Sequence, residues 1–93
     1  MTNREEVYQA IDSERAYQDT RWYKDTTASG GTHTVTEWLV FVQDYLTEAV
    51  HQSSRQAEPK ASEDVLHTLR KIAAMCVACM EQNGAPPRKG FEK

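Results

Sequence analysis

Positive charge is scarce in this chain. Its 93 residues hold 11 Lys and Arg against 14 Asp and Glu, for a net charge of −3. General binding to DNA, RNA or an anionic membrane needs a basic surface and is therefore not expected, so any phosphate would have to be met locally. Long apolar runs are missing too. No stretch approaches the roughly 20 apolar residues of a membrane span, and the opening Met1-Thr2-Asn3-Arg4-Glu5-Glu6 has no apolar signal core. The expectation is a cytosolic protein with no membrane partner, in which Cys76 and Cys79, the two cysteines, stay reduced. Catalytic motifs are also lacking. No Ser or Cys stands in a nucleophile elbow and no Gly-rich phosphate loop follows a strand. His33, His51 and His67 never fall at the i, i+4 spacing of a helical metal site. No catalytic residue, metal or cofactor is assigned, and the chain reads as a binding protein and not an enzyme.

What is present supports a single helical domain over residues 1–93. Hydrophobic residues make up 39% and aromatics 9%, above the composition of a disordered chain. Asn3 with Glu6 resembles a capping box, and a helix is expected over about 3–22. Its apolar stripe is thin: Val7, Ala10 and Ile11 share a face, with Tyr8, Ala16, Tyr17 and Trp22 spread around the rest. Residues 23–33 carry Thr, Ser, Asp and Gly30-Gly31, which is loop chemistry. Thr34 and Glu37 form a second capping box, and Trp38, Leu39, Phe41, Val42, Tyr45, Leu46, Ala49 and Val50 make a broad stripe on a helix of about 34–55.

A short connection through Pro59 leads to Ser62, read as an N-cap, and a third helix over about 62–83, stopped by Gly84 and Pro86-Pro87 ahead of a short tail, 84–93. The fold class is all-α: an N-terminal helix plus a long antiparallel helical hairpin. Between Ile72 and Met80 the third helix is apolar on every side. Three helices cannot cover such a segment, so other copies of the chain are expected to do so in a compact homo-oligomer.

Several residues invite a chemical reading beside a structural one. Cys76 and Cys79 suit small core positions better than a redox or zinc pair. Arg70 and Lys71 stand just before the apolar run, where Arg suits phosphate because its planar fork donates paired hydrogen bonds; a salt bridge to Glu or Asp of another subunit is the other reading. Tyr8, Tyr17, Trp22 and Tyr23 with Arg15, Arg21 and Lys24 interleave rings and cations, as base-stacking surfaces do, and as the packing of helices also does. Glu37, Asp44 and Glu48 line up on the second helix. They raise the alternative of an all-helical, Mg-dependent nucleoside triphosphate pyrophosphatase, whose second carboxylate row is missing here, since the third helix has no carboxylate between Asp64 and Glu81.

Three segments together resemble a known family. Ala10-Ile-Asp-Ser-Glu-Arg-Ala-Tyr-Gln-Asp19, His33-Thr-Val-Thr-Glu-Trp-Leu39 and above all Arg70-Lys-Ile-Ala-Ala-Met-Cys-Val-Ala-Cys-Met-Glu-Gln-Asn-Gly-Ala-Pro86 are similar to the phage anti-CBASS cyclic-oligonucleotide sponges. These helical hexamers take up the cyclic nucleotide messengers of a bacterial defence and keep them from a killing effector. The resemblance implies immune evasion in the cytoplasm of the infected bacterial host, with cyclic dinucleotides and cyclic trinucleotides as partners and no breakdown of either. It also implies two kinds of site. Tyr8 would stack on a base of a cyclic dinucleotide, with Lys24 and Thr26, or their neighbours Tyr23 and Thr27, on phosphate and base edges. Arg70 would hold the phosphates of a cyclic trinucleotide, with the backbone of Gly84, Ala85 and Pro86 reading its bases.

Overall fold

A computed structural model describes residues 3–21, 31–54 and 61–90. The described chain is all-helical: α1 spans Arg4–Arg21, α2 Val35–Ser53 and α3 Ala61–Asn83. Local chemistry explains most of the ends. The Asn3 side chain accepts the Glu6 N–H at 2.9 Å, which caps α1. At the start of α2 the box is complete: Thr34 Oγ1 accepts from the Glu37 N–H, and the Glu37 carboxylate accepts from the Thr34 N–H at 2.8 Å. α3 begins at Ala61, so Ser62, expected as its cap, lies inside the first turn. Its other end is closed by Gly84, which takes a φ of +113° and donates its N–H to Met80 O at 2.8 Å; that backbone region favours glycine.

α3 is the common support. It packs against both α1 and α2, while α1 and α2 do not touch among the described residues. On the α2 side Trp38, Met75 and Ala78 are buried together, with Val42, Tyr45 and Cys79 packed around them. At the two ends of this contact, Trp38 Nε1 donates to Gln82 Oε1 and Thr68 Oγ1 donates to Gln52 Oε1. The start of α2 therefore lies beside the end of α3, and the end of α2 beside the first half of α3.

The α1 side is held differently. The positions of α1 that are buried are polar, Glu14 and Gln18, and not the Val7, Ala10 and Ile11 stripe that periodicity singles out; Val7 is exposed. Gln18 Nε2 donates to the Lys71 carbonyl at 3.2 Å, Arg70 pairs with Glu14, and Arg15 pairs with Glu81. Hydrogen bonds and ion pairs thus join α1 to α3 where apolar contact would be the usual means.

The buried apolar set is small: Trp38, Met75 and four alanines, Ala49, Ala61, Ala74 and Ala78. The radius of gyration is 15.0 Å, against about 12 Å for a compact domain of this length. The shortest dimension, 22 Å, is about two helix diameters. Much apolar surface consequently faces outward. Leu66, Leu69, Cys76 and Met80 are exposed and Ala73 is half-buried. These five follow one another on α3 at the alternating three- and four-residue spacing of a coiled-coil seam. Cys76 belongs to this outward row, so in the single chain only Cys79 takes the core role expected of both cysteines.

Candidate functional site

Arg70 sits one position after Leu69, on the flank of the outward seam, and two neighbours hold its side chain. Its Nε donates to Glu14 Oε1 across the α1–α3 contact at 2.7 Å. Its Nη1 lies 2.7 Å from His67 Nδ1, one turn earlier on α3. An arginine can only donate, so that ring nitrogen is the acceptor and the imidazole proton lies on Nε2. His67 Nε2 in turn lies 3.5 Å from Glu63 Oε1. The result is a polar row Glu14–Arg70–His67–Glu63 running from the α1 seam out to solvent. Glu14, at 9% side-chain exposure, is its buried end, while Arg70 keeps 32%. A carboxylate this enclosed is tolerable because it is paired. The partner of Arg70 is therefore on its own chain, and the intersubunit salt bridge considered from sequence is not needed to neutralise it.

The other residues expected at a trinucleotide site lie elsewhere. Gly84, Ala85 and Pro86 are exposed just beyond the end of α3, 14 positions from Arg70, which at the helical rise is about 21 Å. One chain does not bring the two parts together. Of the residues expected at a dinucleotide site, Tyr8 stands on the first half of α1 at 62% exposure. Lys24 and Thr26, with Trp22, Tyr23 and Thr27, lie outside the described residues.

A cluster that the sequence reading did not single out organises the ground beside Gly84. Gln82 Oε1 accepts the His33 N–H and the Trp38 indole N–H, each at 2.9 Å, and its Nε2 donates to the Gly31 carbonyl at 2.8 Å. Asn83 Nδ2 donates to the His33 carbonyl at 3.2 Å. The His33 ring meets Trp38 and Phe41 edge-on, with centroids 5.2 and 4.9 Å away. Residues 31–33 are thereby pinned to the end of α3, next to Gly84–Pro86.

The acidic row on α2 is divided in its uses. Glu37 is committed to the cap, where the Thr34 backbone N–H and then its hydroxyl hold the carboxyl below its ordinary range. Asp44 and Glu48 border a shallow hollow with Thr47, His51 and Gln52. Among the described residues no group of three or more His, Cys, Asp or Glu is placed to hold a metal ion. Arg15, one of the cations interleaved with rings, bridges Asp19 and Glu81 at 2.6 Å each. Burial works against its charge, but those two hydrogen bonds outweigh burial and raise its pKa.

No described helix is long and apolar enough to cross a membrane. Comparison of the chain with protein-family models, with curated proteins and with solved structures gives no match.

Proposed function

We propose that this chain is a non-catalytic homo-oligomer that binds cyclic di- and trinucleotides between its subunits and withholds them from an effector, the role its resemblance to the anti-CBASS sponges implies. In this reading it acts in the cytoplasm of an infected bacterium, and α2 and α3 form the long antiparallel hairpin of a compact, hexameric assembly. The observation that carries the proposal is the place of Arg70: a cation that, among the described residues, commits two of its N–H donors, on the flank of an outward-facing apolar seam. A helix carrying such a seam is stabilised by packing against the same seam of another copy. Copies related by symmetry would then bring several Arg70 side chains around one ligand. That is how an acidic chain can hold a ring of phosphates. It also lets Gly84, Ala85 and Pro86 of one copy stand near Arg70 of another, which a single chain does not do. Tyr8, exposed on α1, is available to stack on a base.

The test is isothermal titration of the purified protein with a cyclic dinucleotide and a cyclic trinucleotide in EDTA, followed by denaturing the protein and chromatographing the released ligand. Metal-independent binding with intact ligand recovered is expected. Absence of binding, or ligand cleaved once Mg²⁺ is restored, would overturn the sponge; cleavage would favour the pyrophosphatase alternative and its Glu37, Asp44 and Glu48 row.

A further inference from the structure

The geometry points to Glu14 and His67 as positioning residues that hold the Arg70 guanidinium with its remaining N–H groups turned out to a phosphodiester. The inference rests on the reading of Arg70 as a phosphate contact.

An arginine carries five N–H donors in one plane. Among the described residues Glu14 takes the Nε donor and His67 takes one from Nη1, which leaves three. Held at two points of its plane, the group cannot turn about the Nε–Cζ axis or swing about the side-chain torsions without breaking one of these bonds. Much of the entropy otherwise lost when a ligand orders a long side chain is then already spent in the free protein. The two holders come from different elements, Glu14 from α1 and His67 from α3, so the plane is fixed relative to both helices. Glu14 suits the task because it is enclosed. His67 suits it because a neutral ring nitrogen accepts a hydrogen bond without adding a second negative charge beside the incoming phosphate. Glu63, at the far side of the ring, favours the tautomer with the proton on Nε2 and so keeps Nδ1 an acceptor. Neither Glu14 nor His67 needs to touch the ligand.

Four variants test this with a cyclic trinucleotide as the probe and a cyclic dinucleotide as the control. His67→Ala should weaken trinucleotide binding about tenfold, the order expected when a hydrogen bond to a charged group is lost. His67→Asn, whose amide oxygen can stand where Nδ1 stood, should restore most of it. Glu14→Gln, which keeps an acceptor for Nε, should bind within a few-fold of the unaltered protein. Arg70→Lys keeps a cation beside Glu14 but gives up the planar fork, and should lose binding most. Assembly mass and helical content checked in parallel guard against misfolding, and His67, half exposed, is a tolerant site. If Arg70→Lys lowers binding while His67→Ala leaves it unchanged, or if Asn rescues nothing, the positioning role is overturned and the phosphate reading stands. If Arg70→Lys binds as well as the unaltered protein, or the unaltered protein does not bind, both are overturned.

Discussion

Trp38 and Gln82 are joined by a hydrogen bond of 2.9 Å from the indole Nε1 to the side-chain oxygen, and that oxygen also accepts the backbone N–H of His33. Trp38 is 2% exposed, so this bond belongs to the buried part of the α2–α3 contact. Gln82→Leu should therefore lower stability by about 1–3 kcal/mol, the range for removing one partner of a buried hydrogen bond. Denaturant unfolding at fixed protein concentration measures it, and a loss under half a kcal/mol would show that Gln82 does not hold this end of α3.

The capping box at the start of α2 gives a prediction with a sign in pH. The Glu37 carboxyl is held below its ordinary value by the Thr34 N–H and hydroxyl, so its contribution is present above the ordinary carboxylate range and lost as pH falls through the lowered folded value. Thr34→Ala should cost about 1 kcal/mol at neutral pH. Glu37→Gln should flatten the acid side of the stability profile; an unchanged profile would mean the carboxylate is not linked to folding.

Leu66 is 65% exposed, so Leu66→Glu should disturb little packing among the described residues, and surface substitutions usually stay within about half a kcal/mol. On the outward seam it should break association. Light scattering after size exclusion is expected to show a smaller mass than the unaltered assembly; equal masses would remove the seam from the interface.

The two proposed ligand sites should separate by mutation. Tyr8→Ala should weaken cyclic dinucleotide binding by about tenfold, in the range of one base–aromatic stack, and spare the trinucleotide. Arg70→Ala should do the reverse; because it leaves Glu14 buried without its partner, it is best read beside Arg70→Lys. Equal loss of both ligands from either change would collapse the two sites into one.

The Cys76 thiol is pushed above its ordinary pKa, first by partial burial and then by neighbouring Cys79. It should react with iodoacetamide more slowly at neutral pH than an unhindered thiol and gain rate as pH rises. Mass spectrometry after timed alkylation reads this, and rapid labelling of Cys76 at pH 7 would contradict it.

The features legible in the sequence are those written locally. Thr34 and Glu37 are three residues apart and cap each other, so the start of α2 can be read from four letters; Gly84 stops α3 by a backbone conformation that favours glycine. The α1–α3 contact is not local. Glu14 meets Arg70 across 56 positions, and nothing near Glu14 distinguishes it from the other acidic residues of α1, so periodicity pointed to Val7 and Ile11 while polar pairs made the contact. Gln82 was invisible for the same reason: its three partners lie 44 to 51 positions away. Arg70 could be picked out by its place before an apolar run, but its tie to Glu14 and His67 could not.

Among the described residues α1 and α2 are each packed on α3 and not on one another. Among the described residues the three helices thus form an open chain of packing contacts, with α3 in the middle. Through helix packing, a movement of α1 reaches α2 as a shift or rotation of α3 itself. Among the described residues α3 is the shaft on which the two packed helices act on each other, and its stiffness sets how strongly that packing couples them.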